Sequence, residues 1–160
     1  MNKFSPKKYI ISKGRNLPFY ECFINSNWKM QCLATISISK KMPSGKFIIA
    51  VYMVDLLYLG VKNTFYNMNF DNIQYDEFIE RLNENPEGQD VCDISHAHNI
   101  IYGAIDFAEE HGVKPHKDFA ITEYLLDPDL ITDEIDEIEF GRDGKPLYIQ
   151  GPNDDIGNIF

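Results

Sequence analysis

Hydrophobic and polar residues in the first sixty positions follow patterns typical of β-strands. Residues 19–24 form a short apolar run that ends at the turn-forming residues 25–27, and residues 32–39 are rich in β-branched side chains. A Pro/Gly turn at 42–45 separates them from a second run over 46–59, which predicts a β-hairpin. Because the run 46–59 is apolar almost throughout, we expect both faces of its strand to be covered.

A first helix is predicted after this hairpin. Asp71 and Gln74 have the spacing of a capping box, in which each side chain satisfies a free backbone N–H. Apolar residues then recur at helical spacing over 75–82, and residues 83–88 end the helix as a candidate linker.

Two more helices are predicted before residue 127. An apolar stripe runs over 97–108; Asp93 or Ser95 can cap its helix and Gly112 can end it. Pro115 cannot continue that helix and can instead open a short one that reaches Leu126.

The C-terminal part predicts a second hairpin. Residues 135–140 and 146–150 flank an Asp-Gly pair at 143–144, which supplies the positive φ angles of a tight turn. We therefore expect an α+β fold with an N-terminal antiparallel β-hairpin sheet, three helices and a C-terminal β-hairpin. Residues 1–150 are expected to form one domain, followed by a flexible C-terminal tail at 151–160.

The distribution of charge changes what the composition implies. The chain has 160 residues and a net charge of -10, which argues against a protein whose whole surface wraps nucleic acid. Residues 1–83, however, carry 11 Lys and Arg against 6 Asp and Glu, while residues 84–139 carry 2 against 16. A local basic contact therefore stays open, and the acidic half is suited to a basic partner.

Cysteine usage and apolar run length indicate the compartment. Three cysteines without a Cys-x-x-Cys pair do not make the framework of a secreted disulfide protein. Residues 1–11 lack the apolar core of a signal peptide, and the run 47–59 is shorter than the roughly 20 residues of a membrane span. We expect a cytoplasmic protein with no membrane contact.

Three segments of the chain look familiar. The region 28–62, the run 97–104 with the residues after it, and the hairpin 140–146 resemble a group of small uncharacterised bacterial proteins. The resemblance implies that most of the chain is one domain, and it brings no activity with it.

A thiol and two imidazoles lie close together before the central helix. Cys92, His96 and His98 fall within seven residues, and His116 can fold back as a further ligand of a divalent metal such as zinc. On a helix, His96 and His98 point about 200° apart, so both can ligate only if the helix starts after His96. Capping and helix-terminus packing are the preferred roles, with no cofactor, and a divalent metal is the alternative.

A row of polar side chains on the same helix is the candidate catalytic group. His98, Tyr102, Asp106 and Glu109 step by four, four and three residues along one stripe. Histidine and a carboxylate can perform general acid–base chemistry; a solvated helix edge is the alternative.

Asp55 is a second candidate because it interrupts an apolar strand. A carboxylate there needs a partner, and Lys62 just past Gly60 is one. Alternatively, the strand ends near Val54 and Asp55 accepts hydrogen bonds from turn amides. A buried Asp55 with a shifted pKa would favour the catalytic interpretation.

The basic half suggests a different surface. Lys40, Lys41 and Lys46 are placed at the hairpin tip, with Trp28 nearby as a stacking side chain. Such a surface can contact RNA or DNA, although lysines at hairpin tips also serve as solvated edge protection.

Three functions follow from these features. The preferred hypothesis is a non-catalytic interaction module that binds a protein partner through its acidic helical half. The alternative is a hydrolase or nuclease-like enzyme that uses His98, His116 and nearby carboxylates, with or without a divalent metal. The second alternative is nucleic-acid contact through the basic hairpin.

Overall fold

The computed structural model describes residues 4–148. This part of the chain has five α-helices, five β-strands and four short 3₁₀ turns. The helices are α1 (Pro6–Lys13), α2 (Trp28–Gln31), α3 (Asn72–Asn83), α4 (Ile94–Glu110) and α5 (Phe119–Thr122). The strands are β1 (Phe19–Asn25), β2 (Leu33–Lys41), β3 (Phe47–Asp55), β4 (Gly60–Phe70) and β5 (Gln89–Val91).

The strands form a single antiparallel sheet in the order β4-β3-β2-β1-β5. β2 and β3 make the central hairpin, with Leu33 opposite Asp55 and Lys41 opposite Phe47. β5 is a three-residue edge strand that pairs with the end of β1.

Both faces of β3 are covered, as its continuous apolar sequence predicts. One face packs on α4, α1 and α5 around the buried side chains of Ile36, Ala50 and Tyr52. The opposite face has a smaller cluster, in which Tyr75 of α3 packs on Phe47. The sheet is therefore the middle layer of the core.

The α+β class and the two longest helices are confirmed. α3 begins at the Asp71–Gln74 capping box, with both reciprocal hydrogen bonds formed. Asp93 caps α4 by accepting from the N–H groups of Ser95 and His96, and Gly112 follows the helix with a φ of 83°.

The C-terminal half differs from the predicted hairpin. A 3₁₀ turn occupies Asp133–Glu137, and the tight turn holds only an isolated bridge between Arg142 and Lys145. The flanking backbone instead bonds the loop after β3, because Gly141 N–H donates to Leu56 O at 2.8 Å. The prediction of strands at 135–140 and within the described part of 146–150 is therefore wrong. Residues 149 and 150 and the predicted tail at 151–160 lie outside the described residues.

The predicted third helix is also shorter than expected. α5 covers only Phe119–Thr122 and continues as a 3₁₀ turn over Glu123–Leu125. The backbone before it is tied to β4 instead, since His116 N–H donates to Val61 O at 2.8 Å.

Four elements were not predicted: α1, β4, β5 and the one-turn helix α2. α1 begins at Ser5 and Pro6, which are standard start signals, but its apolar stripe is short. β4 contains three asparagines between its ends, and β5 has only three residues. Pairing with neighbouring strands stabilises both strands despite weak local propensity.

Candidate functional site

The described residues form a surface cleft of about 410 Å³. It lies between α2, the first turn of α4 and the segment 134–142. We call it the Trp28 cleft. Its lining residues are Trp28, Lys29, Cys32, Leu56, His96, Glu134, Glu137, Ile138, Glu139, Gly141 and Arg142.

One wall of the Trp28 cleft is aromatic. Trp28 begins α2, the one-turn helix that leads from β1 back into β2. Its indole contacts the ring of His96 edge to face, and Lys29 Nζ lies 5.5 Å from the indole centroid. The indole face is thus a surface that already accepts a cationic group.

The part of the lining formed by residues 134–139, which we call the acidic wall, is fixed to α4. Asn99 and Thr132 exchange two hydrogen bonds of 2.9 Å, one from each residue, which anchors the chain just before the 3₁₀ turn. Phe140 packs against Gly103 at the other end of the segment. Because both ends are held, the intervening carboxylates project at defined positions beside the cleft.

Three of these carboxylates have no cation partner within residues 4–148. Glu134, Glu137 and Glu139 are exposed, and no Lys, Arg or His nitrogen of the described chain lies within 4.0 Å of their oxygens. Two basic residues, Lys29 and Arg142, also line the cleft. The cleft therefore combines an aromatic surface with carboxylates that are open to an external cation.

A second cavity of about 180 Å³ brings together His98 and Lys40, which are 58 residues apart. His98 is almost completely buried: its Nδ1 donates to Ile94 O at 2.7 Å, and its Nε2 accepts from Asp127 N–H at 2.9 Å. With both ring nitrogens engaged, the imidazole is neutral and fixed. Burial lowers its pKa, which keeps the ring in the neutral form that these two hydrogen bonds require.

The prediction that Lys40 is available at a basic hairpin tip is wrong, because its side chain is buried. Its side chain is only 7% exposed, and Nζ donates to Gly14 O and Arg15 O, each at 3.0 Å. Burial lowers its pKa to about 8. Lys41 and Lys46 are exposed, so two lysines rather than three are available at this hairpin.

The predicted catalytic row does not form a connected acid–base group. Tyr102 stacks beside His98 at a centroid distance of 6.2 Å, and burial raises its pKa to about 12. Asp106 is exposed one turn further along α4. His116 lies before α5, where its Nδ1 accepts from Asp118 N–H at 3.1 Å.

Asp55 accepts hydrogen bonds from turn amides at the end of its strand, which is the structural alternative to a catalytic role. It ends β3, and its two carboxylate oxygens accept from the amides of Leu57 and Leu59 at 2.9 and 3.4 Å. Burial raises its pKa, while these hydrogen bonds oppose the shift. These two hydrogen bonds therefore explain why a carboxylate is tolerated at the end of an apolar strand.

The proposed metal ligands do not meet. In the stretch from residue 4 to residue 148, no group of three or more His, Cys, Asp or Glu side chains is arranged to hold a metal ion. His96 lies in the Trp28 cleft, His98 is engaged on both nitrogens and His116 is at α5. Cys92 instead faces Cys22, and its Sγ donates to Asp93 O.

The residues that anchor the acidic wall to α4 were not predicted. Asn99 hydrogen-bonds Thr132, and the missing side chain of Gly103 leaves room for Phe140. A polar side chain and a glycine at buried helical positions were the available signals.

Comparisons with protein-family models, with curated proteins and with solved structures found no match to this chain. In the described part of the chain, no helix has the length and apolar character needed to cross a bilayer. The resemblance to small bacterial proteins stays a prediction.

Proposed function

We propose that this protein is an interaction module that binds a Lys- or Arg-containing segment of a protein partner in the Trp28 cleft. The observation that carries the proposal is that Trp28 and the carboxylates of Glu134, Glu137 and Glu139 line the same cleft. No catalytic step is part of the proposed role.

An aromatic ring and carboxylates together favour a flexible cation. A Lys or Arg side chain can place its apolar stem on the indole and its charged end near the carboxylates. Lys29 already makes the first of these contacts within the chain. A partner's side chain would add the second, which Lys29 does not make at ion-pair distance in the described residues.

The wider surface supports the same ligand chemistry. Residues 84–139 carry 16 Asp and Glu against 2 Lys and Arg, and the acidic wall belongs to this segment. The resulting negative potential would speed the approach of a basic peptide and make binding weaken with added salt.

The test is a titration with a synthetic decapeptide of alternating lysine, arginine and serine. Trp28 is the only tryptophan in the chain, so intrinsic fluorescence reports directly on the cleft. We expect saturable binding that weakens when the salt concentration is raised. An acidic decapeptide of the same length should produce no fluorescence change.

A matched pair of variants separates the cleft from general charge attraction. Glu134→Gln with Glu137→Gln removes two cleft carboxylates, whereas Asp133→Asn with Asp136→Asn removes two exposed ones from the same turn outside the cleft. We expect the first pair to weaken binding about 5-fold or more and the second less than about 2-fold. Equal losses for the two pairs would contradict a cleft-specific site.

A further inference from the structure

Cys22 and Cys92 lie directly opposite each other in the sheet. The β1–β5 register pairs Phe23 with Val91 and Ile24 with Asp90, and one further step pairs the two cysteines. The backbone follows that register, because Cys92 N–H donates to Cys22 O at 2.8 Å. The cysteines therefore occupy a hydrogen-bonded position of an antiparallel ladder.

Their side chains point into the same part of the core. Both are free thiols of the cluster beneath α4, with exposures of 1% for Cys22 and 6% for Cys92. Residues at such a ladder position have Cα atoms about 5.5 Å apart, which is within the range that a disulfide spans. Cβ atoms at hydrogen-bonded positions lie about 5.5 Å apart, whereas a disulfide spans about 3.5–4.5 Å, so the edge strand must shift by about 1 Å or more for the bond to form.

We propose that Cys22 and Cys92 are a reversible thiol modification site. A small disulfide compound oxidises the pair by thiol–disulfide exchange, which leaves an intramolecular Cys22–Cys92 disulfide. The site is independent of peptide binding in the Trp28 cleft. Cys32, the third cysteine, lies at the end of α2 and has a separate environment, in which its Sγ donates to Lys29 O.

The two thiols are suited to unequal roles. The neighbouring thiol of Cys22 lowers the pKa of Cys92, while burial and the Asp93 carboxylate oppose that shift; the pKa of Cys22 is raised by the same thiol pair and by burial. Cys92 also directly precedes Asp93, the N-cap of α4, and a helix N-terminus favours a thiolate. Cys92 is therefore the attacking sulfur, and Cys22 is the resolving one.

The exchange balances with the small disulfide as oxidant. The Cys92 thiolate attacks one sulfur of the small disulfide, which forms a mixed disulfide and releases one small thiolate. Cys22 gives up its proton to that thiolate and attacks Cys92 Sγ, which releases the second small thiolate; this thiolate takes from solvent the proton that Cys92 lost on ionising. The protein loses two electrons and two protons, and the small disulfide gains them.

Access to Cys92 depends on the sheet edge. β5 has only three residues, and its pairing with β1 is the edge contact of the sheet. Local opening of so short an edge strand exposes Cys92 without unfolding the core. A disulfide would then fix β5 to β1 and close a loop that contains β2, β3, β4 and α3.

The experiment treats the folded, reduced protein with oxidised glutathione in the absence of denaturant. After alkylation of remaining thiols, peptides are mapped without reduction by mass spectrometry. We expect a linked pair of peptides containing Cys22 and Cys92, reversal by dithiothreitol, and a higher midpoint of thermal unfolding for the oxidised form. A Cys32→Ser variant should give the same linked pair.

Two further variants test the order of attack. Cys22→Ser should accumulate glutathione on Cys92, because the resolving thiol is missing, and Cys92→Ser should leave Cys22 largely unmodified. A link that involves Cys32 would overturn the proposal. So would Cys22 and Cys92 both remaining as thiols under conditions in which Cys32 of the same molecules is modified.

Discussion

Trp28 and His96 meet edge to face at the Trp28 cleft, with ring centroids 5.5 Å apart and ring planes inclined at 64°. The contact joins α2, which follows the first strand, to the first turn of α4. His96 therefore supports the indole through its ring, while Lys29 Nζ lies over the indole and would have to give way to a cationic side chain of a partner.

Removal of this indole should reduce peptide binding more than it reduces stability. Trp28 is partly exposed, so Trp28→Ala loses the aromatic surface for the cation, which is worth about 1–2 kcal/mol or roughly 10-fold in affinity. Trp28→Phe should keep part of that affinity. Isothermal titration calorimetry with the basic decapeptide measures the affinity of both variants, since it does not depend on tryptophan fluorescence.

A matched control for this prediction is Phe65→Ala. Phe65 is an exposed aromatic residue on β4 that does not line the cleft. We expect its replacement to leave the affinity unchanged. An affinity for Trp28→Ala equal to that of the wild type would place the basic peptide elsewhere on the surface.

His98 should contribute to stability in a pH-dependent way. Replacement by alanine leaves Ile94 O and Asp127 N–H without their partner and creates a cavity, so we expect a loss of about 2–4 kcal/mol. Burial, together with Lys40 nearby, lowers the pKa of His98, although Asp127 opposes this. The unfolded state therefore binds the proton more readily, and stability is lost as the pH falls below about 6.5.

Urea unfolding at pH 7.5 and pH 5 measures this effect. The free energy of unfolding of the wild type should fall more between the two pH values than that of His98→Gln, which has no titrating group at this position. An identical fall in the two proteins would show that His98 has the same pKa folded and unfolded.

Lys40 should make the free energy of unfolding depend on pH in the alkaline range. Its pKa is about 8 in the folded protein and 10.5 in its unperturbed state, so the unfolded chain binds more protons between these values. The wild type should therefore gain up to about 2 kcal/mol over Lys40→Met as the pH rises from 8 to 10.5. Asp127, Arg15 and His98 face the same cavity and are unchanged in the comparison.

Lys41→Met provides the control because Lys41 is the exposed neighbour of Lys40. Its difference from the wild type in guanidinium unfolding should stay constant over the same pH range. If the difference between wild type and Lys40→Met also stayed constant, the ammonium of Lys40 would not be destabilised by burial.

Local patterns were sufficient to predict the elements that depend on short-range chemistry. The capping box of Asp71 and Gln74 and the glycine stop at Gly112 act within one helical turn, so sequence alone identifies them. The turn at Asp143–Gly144 was also predicted, and both residues have positive φ angles. The strands expected on either side of it were not found, because the chain there bonds the loop after β3 instead.

The candidate site depends on distant contacts and was therefore only partly predictable. Trp28, His96 and the acidic run were each identified as separate features, but nothing local indicates that α2 and residues 134–142 face each other. Lys40 shows the opposite kind of error, because a residue predicted to be exposed at a binding surface is buried by distant parts of the chain. Alternation along β2 puts it on the α4 side of the sheet, and α1 with the turn after it covers that end.

Gly103 provides the sharpest test of how the acidic wall is held. In most helices, replacement of an interior glycine by alanine stabilises the protein by about 1 kcal/mol. Here a β-carbon at position 103 would lie 2.6 Å from Cε2 of Phe140 and 3.3 Å from Cγ1 of Ile135. We therefore expect Gly103→Ala to lower the free energy of unfolding by about 1–3 kcal/mol, despite the better helix propensity.

The same substitution should also weaken peptide binding, because Phe140 directly follows Ile138 and Glu139 of the cleft. Phe140→Leu removes part of the ring that meets the new methyl group, so the double variant should recover stability relative to Gly103→Ala. Chemical denaturation and peptide titration on the two single variants and the double variant complete a double-mutant cycle. A stabilised Gly103→Ala protein would mean that Phe140 does not pack on α4, and the acidic wall would then lack its anchor at that end.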